Sequence, residues 1–326
     1  MAIKSVELKN FTVFEDMKCE FSPGVNVLIG ENGTGKTHLL KILYAFCNVS
    51  SRHLPLQTEL SGLFNSNPKI KGVLNRSQHE DVKLQIRFNE NKYDYTLSAE
   101  DRAGYSSQML EEVFSTFIPA KEMLSISNIA RIGDRFQRDL AMDNSLIDII
   151  KKAQSLKLSN PPAFAVKIAA KLEKIIGGTV FVKENDNTFW IRKTDGNEIF
   201  FAMEAEGIRK FGLLWQLIMN GNIDKDTILL WDEPEANLNP KLLSIMVDIL
   251  LELAENGVQI FLATHEYNLM KYFSIWKKNG KVAFINLRKS GDGVVAEKRD
   301  DYNLLASNAI VDAKIKLFED GLEGAF

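Results

Sequence analysis

Gly30, Glu31, Asn32, Gly33, Thr34, Gly35, Lys36 and Thr37 form a complete G-x-x-x-x-G-K-[ST] loop. Its glycines let backbone N–H groups curl toward an anion where a Cβ would clash. Lys36 has the reach to meet β- and γ-phosphates, and the Thr37 hydroxyl suits Mg²⁺. Two carboxylates, Asp232 and Glu233, follow the apolar run Ile228-Leu229-Leu230-Trp231 and precede Pro234. Asp232 is placed to share the metal with Thr37, and Glu233 to polarise an attacking water. A further apolar run, Val258 to Ala263, ends in Thr264-His265-Glu266. A histidine at such a strand end can contact a terminal phosphate and register its presence. The expected site therefore takes ATP and Mg²⁺, with Thr37 and Asp232 on the metal and Glu233 and His265 as catalytic side chains.

These residues need particular elements behind them. Val25 to Ile29 reads as a short apolar strand, and His38 to Phe46 carries apolar residues at helical spacing. Strand, glycine loop and helix is the context that makes the loop a phosphate site, because the helix N-terminus adds free N–H groups and a positive dipole end. His38 stands next to the loop and joins the expected cofactor-binding set. The run Ile228 to Trp231 has no polar alternation, as in a strand covered on both faces.

The remaining pattern is an α/β protein. Residues 2 to 21 read as two strands and residues 82 to 97 as a hairpin around Asn89-Glu90-Asn91. Residues 49 to 80 read as loop, punctuated by Ser50-Ser51, Pro55, Gly62, Pro68 and Gly72. Val113 to Ile118 is an expected buried strand. From Ile126 to Ile176 the pattern is mostly helical, broken at Pro161-Pro162 and stopped by Gly177-Gly178, with a hairpin after it. Helices are expected over 203 to 219, over 241 to 254, around Leu269 to Tyr272 and over 309 to 318. A last strand pair lies within 282 to 296. The division this suggests is an N-terminal half-head over 1–100, a mostly helical insertion lobe with a β-hairpin over 101–198, and a C-terminal half-head over 199–326.

Composition narrows the class. The 326 residues are 45% hydrophobic and 25% charged, ordinary for a globular protein, and the formal net charge of -3 gives no global basic field to draw nucleic acid. Cys19 and Cys47 have no metal spacing and read as small core residues. No signal-like N-terminus and no apolar run of membrane-spanning length stand out, so a cytoplasmic setting without a membrane partner is expected. No His/Cys/Asp cluster reads as a second metal site, so any nuclease or toxin activity is expected to lie with a partner.

The three motifs together resemble the Walker A, Walker B and switch-histidine motifs of AAA-family, ABC-type ATPase heads, in the SMC/RecF-like and OLD-like branch. The opening Ile3-Lys4-Ser5-Val6-Glu7-Leu8-Lys9-Asn10-Phe11 resembles the start of these heads, and Glu235 to Pro240 occupies the place of their D-loop. The resemblance implies a mixed-sheet core with an antiparallel β subdomain, ATP hydrolysis, and a homodimer with nucleotide held between subunits. It also implies that Glu206, Gly207, Arg209 and Lys210, in the place of the signature motif, meet the other subunit's nucleotide. The signature serine is replaced by Ala205, and Asn239 stands where an aspartate is common. The biological settings it implies are control of an effector protein in bacterial defence, DNA repair by direct contact with DNA, or a nucleotide-dependent scaffold with little turnover.

Overall fold

The computed structural model describes residues 1–52, 54–65, 74, 76–77, 80–97, 103–105, 112–131, 142–183, 185–277, 281–291 and 293–323. In chain order come β1 (Ile3–Phe11), β2 (Phe14–Glu20), β3 (Val25–Ile29), α1 (Lys36–Arg52), α2 (Leu56–Leu63), β4 (Val82–Phe88), β5 (Asn91–Leu97), β6 (Ala103–Tyr105) and β7 (Ser115–Ile118). They are followed by α3 (Asn144–Ala153), α4 (Ala163–Ile176), β8 (Gly178–Lys183), β9 (Thr188–Lys193), β10 (Glu198–Phe200), α5 (Glu206–Met219) and β11 (Ile228–Asp232). The chain then forms α6 (Pro240–Glu255), β12 (Gln259–Ala263), α7 (Tyr267–Trp276), β13 (Val282–Ser290), β14 (Gly293–Arg299) and α8 (Ala309–Glu323).

The central sheet has the order β14-β13-β3-β12-β11-β7, parallel from β13 to β7 with β14 antiparallel at its edge. Its inner strands are buried on both faces, which explains their unbroken apolar runs. Leu229, Trp231, Ile260 and Leu262 face one core with helices α3 to α7. Ile228, Leu230, Phe261 and Ala263 face another, filled by α1, α2 and the five-stranded antiparallel sheet β2-β1-β4-β5-β6. Cys19 and Cys47 lie in this second core, and burial pushes both thiols up to about 12.

Two expectations are corrected. The stretch read as loop after Asn48 is largely helical: α1 continues to Arg52, and α2 begins directly after Pro55, which occupies its N-cap. Leu56, Leu60 and Leu63 are buried at helical spacing, so core packing outweighs the Pro and Gly signals. Pro68 and Gly72 lie outside the described residues, as do 132–141 of the expected helical stretch. The second correction concerns the insertion lobe. Its strand β7 pairs with β11 at the edge of the central sheet, so a boundary at residue 101 would leave one head strand in the lobe. Moreover, Ile149, Ile150, Ile168 and Leu172 of α3 and α4 belong to the same core as Leu229 and Trp231. The small sheet β10-β9-β8 is separate in its hydrogen bonding from the central sheet.

Candidate functional site: a cleft at three strand ends

The site lies beyond the C-terminal ends of β3, β12 and β11, three neighbours in the parallel sheet. The glycine loop follows β3, Thr264 and His265 follow β12, and Asp232 ends β11. Open α/β sheets collect ligands at such ends.

Backbone geometry in the loop is specific. Gly30 has φ 143°, and a Cβ there would sit 2.2 Å from the Leu287 carbonyl oxygen. Gly35 has φ 86°, with Val13 and Phe14 at 2.6 and 2.7 Å from the position of a Cβ. Thr34 closes the turn by donating its hydroxyl to the Glu31 carbonyl at 2.9 Å. Lys36 is 6% exposed, and its ammonium donates to the carbonyls of Gly30 at 2.8 Å and Glu31 at 2.9 Å. Burial pushes its pKa down to about 8, against the pull of Asp232 and Glu233.

Thr37 donates its hydroxyl to Asp232 Oδ2 at 2.8 Å, across 195 residues of sequence. A hydroxyl and a carboxylate side by side form a hard-oxygen pair of the kind Mg²⁺ takes from a protein when phosphates and waters fill the rest of its shell. Burial pushes the Asp232 carboxyl up, while the Thr37 hydrogen bond opposes the shift. Glu233 and His265 face each other, with Oε1 3.7 Å from Nε2, and both are partly exposed. Burial, and then Lys36, hold His265 below the usual histidine range. These side chains, with Asn32, Gly33, His38 and Val13, line a cleft of about 390 Å³. His38 packs edge-on to Phe64, and burial lowers its pKa. Gly30 and Glu31 border a neighbouring cleft with Arg288 and Lys289.

The signature-like residues have partners within the chain. Helix α5 starts at Glu206, so Gly207 lies in its first turn. A Cβ on Gly207 would lie 3.0 Å from the Asn237 carbonyl, and Asn237 donates to Glu206 at 2.9 Å. The glycine therefore permits close packing against the D-loop-like segment of the same chain. Arg209 donates to Ser125 Oγ at 2.6 Å and to the Ala202 carbonyl at 3.2 Å, and lies 3.4 Å from a Glu122 carboxylate oxygen. Lys210 is 3% exposed and donates to the carbonyls of Glu233 and Pro234. Both cations are thus engaged within the chain rather than presented outward. Asn239 caps α6 by accepting from Lys241 N at 3.0 Å, a role asparagine fills as readily as aspartate.

Sequence reading left three contributors without a role. Val13 lines the cleft from the β1–β2 turn. Glu122 anchors the loop after β7 to α5 through Arg209. Glu235 accepts from Thr264 Oγ1 at 2.6 Å and from the His265 backbone at 3.0 Å. Its position two residues after Glu233 was the available signal. Among the described residues no group of three or more His, Cys, Asp and Glu gathers as a metal site, and no helix is long and apolar enough to cross a membrane.

A protein-family model described as "AAA ATPase domain" matches residues 1–125. A second, described as "AAA domain, putative AbiEii toxin, Type IV TA system", matches residues 127–271. The chain is 31% identical over 87 residues to the DNA replication and repair protein RecF of Lactococcus lactis subsp. lactis (strain IL1403), covering 27% of this chain and 24% of the relative. It is 39% identical over 75 residues to the protein of that name from Staphylococcus haemolyticus (strain JCSC1435), covering 23% and 20%. These matches span a quarter or less of the relatives' own length. Among solved structures, an SMC head bound to the C-winged helix domain of ScpA aligns with TM-score 0.59 at 13% identity, covering 92% of this chain and 98% of that one. The SMC head domain from Thermotoga maritima aligns with TM-score 0.53 at 13% identity, covering 92% and 99%. At that identity the likeness shows the fold. The SMC-head architecture, the two AAA family models and the RecF-like segments together make this chain similar to the P-loop ABC-type ATPases of the SMC/RecF branch.

Proposed function

We propose that this cleft binds ATP with Mg²⁺ and hydrolyses it. The observation that carries the reading is the Thr37–Asp232 hydrogen bond, which joins the glycine loop to the strand end bearing Glu233. Lys36 turns from the Gly30 and Glu31 carbonyls to phosphate oxygens. Thr37 and Asp232 would hold the metal, which would neutralise charge on the phosphate oxygens. Glu233 takes a proton from the attacking water. His265, uncharged near neutral pH, hydrogen-bonds the terminal phosphate.

Two copies of the chain close over nucleotide, and the ATP state of the pair controls an effector protein in bacterial defence. The family description over 127–271, with its "putative AbiEii toxin, Type IV TA system", supports a setting that includes a partner protein. The RecF-like segments favour a second reading, in which the partner is DNA. Phosphate release tests the first step: turnover is expected with Mg-ATP and not with EDTA. No release under either condition would leave only a scaffold. Sedimentation velocity with ATP and with ADP tests closure, which is expected with ATP alone. Retention on duplex DNA that weakens steeply with salt would favour the DNA reading.

A further inference from the structure

Two charged side chains beside the cleft, Lys210 buried and Glu235 half-buried, do not line it. The Lys210 ammonium donates to the main-chain carbonyls of Glu233 at 2.9 Å and Pro234 at 3.3 Å. Glu233 has φ 48°, a left-handed conformation that costs energy for a residue with a side chain. Its amide donates to the Ala263 carbonyl at 2.9 Å, so β12 holds one side of this residue and Lys210 the other. The second side chain, Glu235, holds the opposite wall. One carboxylate oxygen accepts from Thr264 Oγ1 and His265 N, while Oε2 is buried with no hydrogen-bond partner among the described residues. Burial raises the Glu235 pKa and lowers that of Lys210, whose carboxylate neighbours are Glu235, Glu206, Glu233 and Asp232. Charges withdrawn from water are costly unless their geometry is used, and here both are bonded to the two turns that carry the catalytic side chains.

We propose that Lys210 and Glu235 are positioning residues for hydrolysis: Lys210 locks the Glu233 backbone in the conformation that faces its carboxylate into the cleft, and Glu235 pins the Thr264-His265 turn opposite it. This rests on the reading that the cleft hydrolyses ATP. Neither side chain lines the cleft beside the phosphate loop, so each acts on the rate and not on nucleotide affinity.

The test uses the full chain. Lys210→Met removes the ammonium at similar volume. Glu235→Leu removes the acceptor, and Glu235→Gln keeps one. Calorimetry gives ATP affinity, and phosphate release at saturating Mg-ATP gives turnover. Lys210→Met and Glu235→Leu are expected to lose roughly 10- to 100-fold in turnover while affinity stays within about threefold, since small misplacement of a reacting group has that effect. Glu235→Gln is expected to recover most of the rate. Added to Glu233→Gln, Lys210→Met is expected to cause no further loss, because it acts through Glu233. Full turnover by Lys210→Met, or an affinity loss matching its rate loss, would overturn the inference. If circular dichroism shows Lys210→Met unfolded, the Glu235 pair decides: equal rates for Leu and Gln overturn it. A wild type without phosphate release brings down the ATPase reading and this inference together. A wild type that turns over beside an equally active Lys210→Met overturns only the inference.

Discussion

The cleft and the start of α5 treat their charged residues in opposite ways. At the cleft, Asp232, Glu233 and His265 come from two adjacent strand ends and line a space of about 390 Å³ together with the glycine loop. At the start of α5, Arg209 and Lys210 bond to side chains and carbonyls of their own chain, and Gly207 packs on the Asn237 carbonyl. The parallel sheet assembles the chemistry within one chain. The signature-like stretch is built into the support of that chemistry, with its basic residues turned inward.

Breaking the cleft is expected to have the largest effect. Lys36→Ala removes the ammonium of the glycine loop, and ATP affinity is expected to fall about 100-fold, the scale of a buried charge-assisted contact. Calorimetry measures it, and circular dichroism is expected to be unchanged. Breaking the start of α5 is expected to act on stability instead. Arg209→Ala should cost about 1–3 kcal/mol in urea denaturation, because it leaves Glu122 without its guanidinium. ADP affinity should hold. A neutral effect on stability with weaker ATP-driven self-association would reverse the comparison and turn Arg209 outward. The smallest effect expected is a pH dependence. Because burial and Lys36 lower the His265 pKa from 6.5, its protonation belongs below pH 6.5. Once charged, it pairs with Glu233 at 3.7 Å and occupies the base. Turnover should fall a few-fold on that acid side, and His265→Gln should flatten the limb. The linkage has the same sign for stability: a depressed histidine contributes fully above 6.5, and the contribution is lost as pH falls through the folded value.

How legible each part was follows from how narrowly physics restricts its residues. The glycine loop could be read because backbone cradling of phosphate allows few residue types, and the strands β3, β11 and β12 because burial on both faces leaves no polar alternation. The bonds of Lys210 could not be read, since a lysine near a helix start is usually solvated, and only the tertiary fold puts two carbonyls over it. Glu235 hid for the same reason, as its partners lie 29 and 30 residues away. Helix α2 was misread because Pro55 and Gly62 signal turns locally, while the burial of Leu56, Leu60 and Leu63 is settled by packing. The place of β7 beside β11 depends on pairing across more than a hundred residues, which local pattern does not carry.

The central claim is that one chain supplies both a phosphate cradle and a base, at separate residues. The most direct measurement is ATP binding and phosphate release on the same samples of wild type and Glu233→Gln. The account predicts equal affinity for Mg-ATP and a turnover loss of roughly 100-fold or more in the variant, the scale of a removed general base. Equal turnover by the two proteins would contradict it.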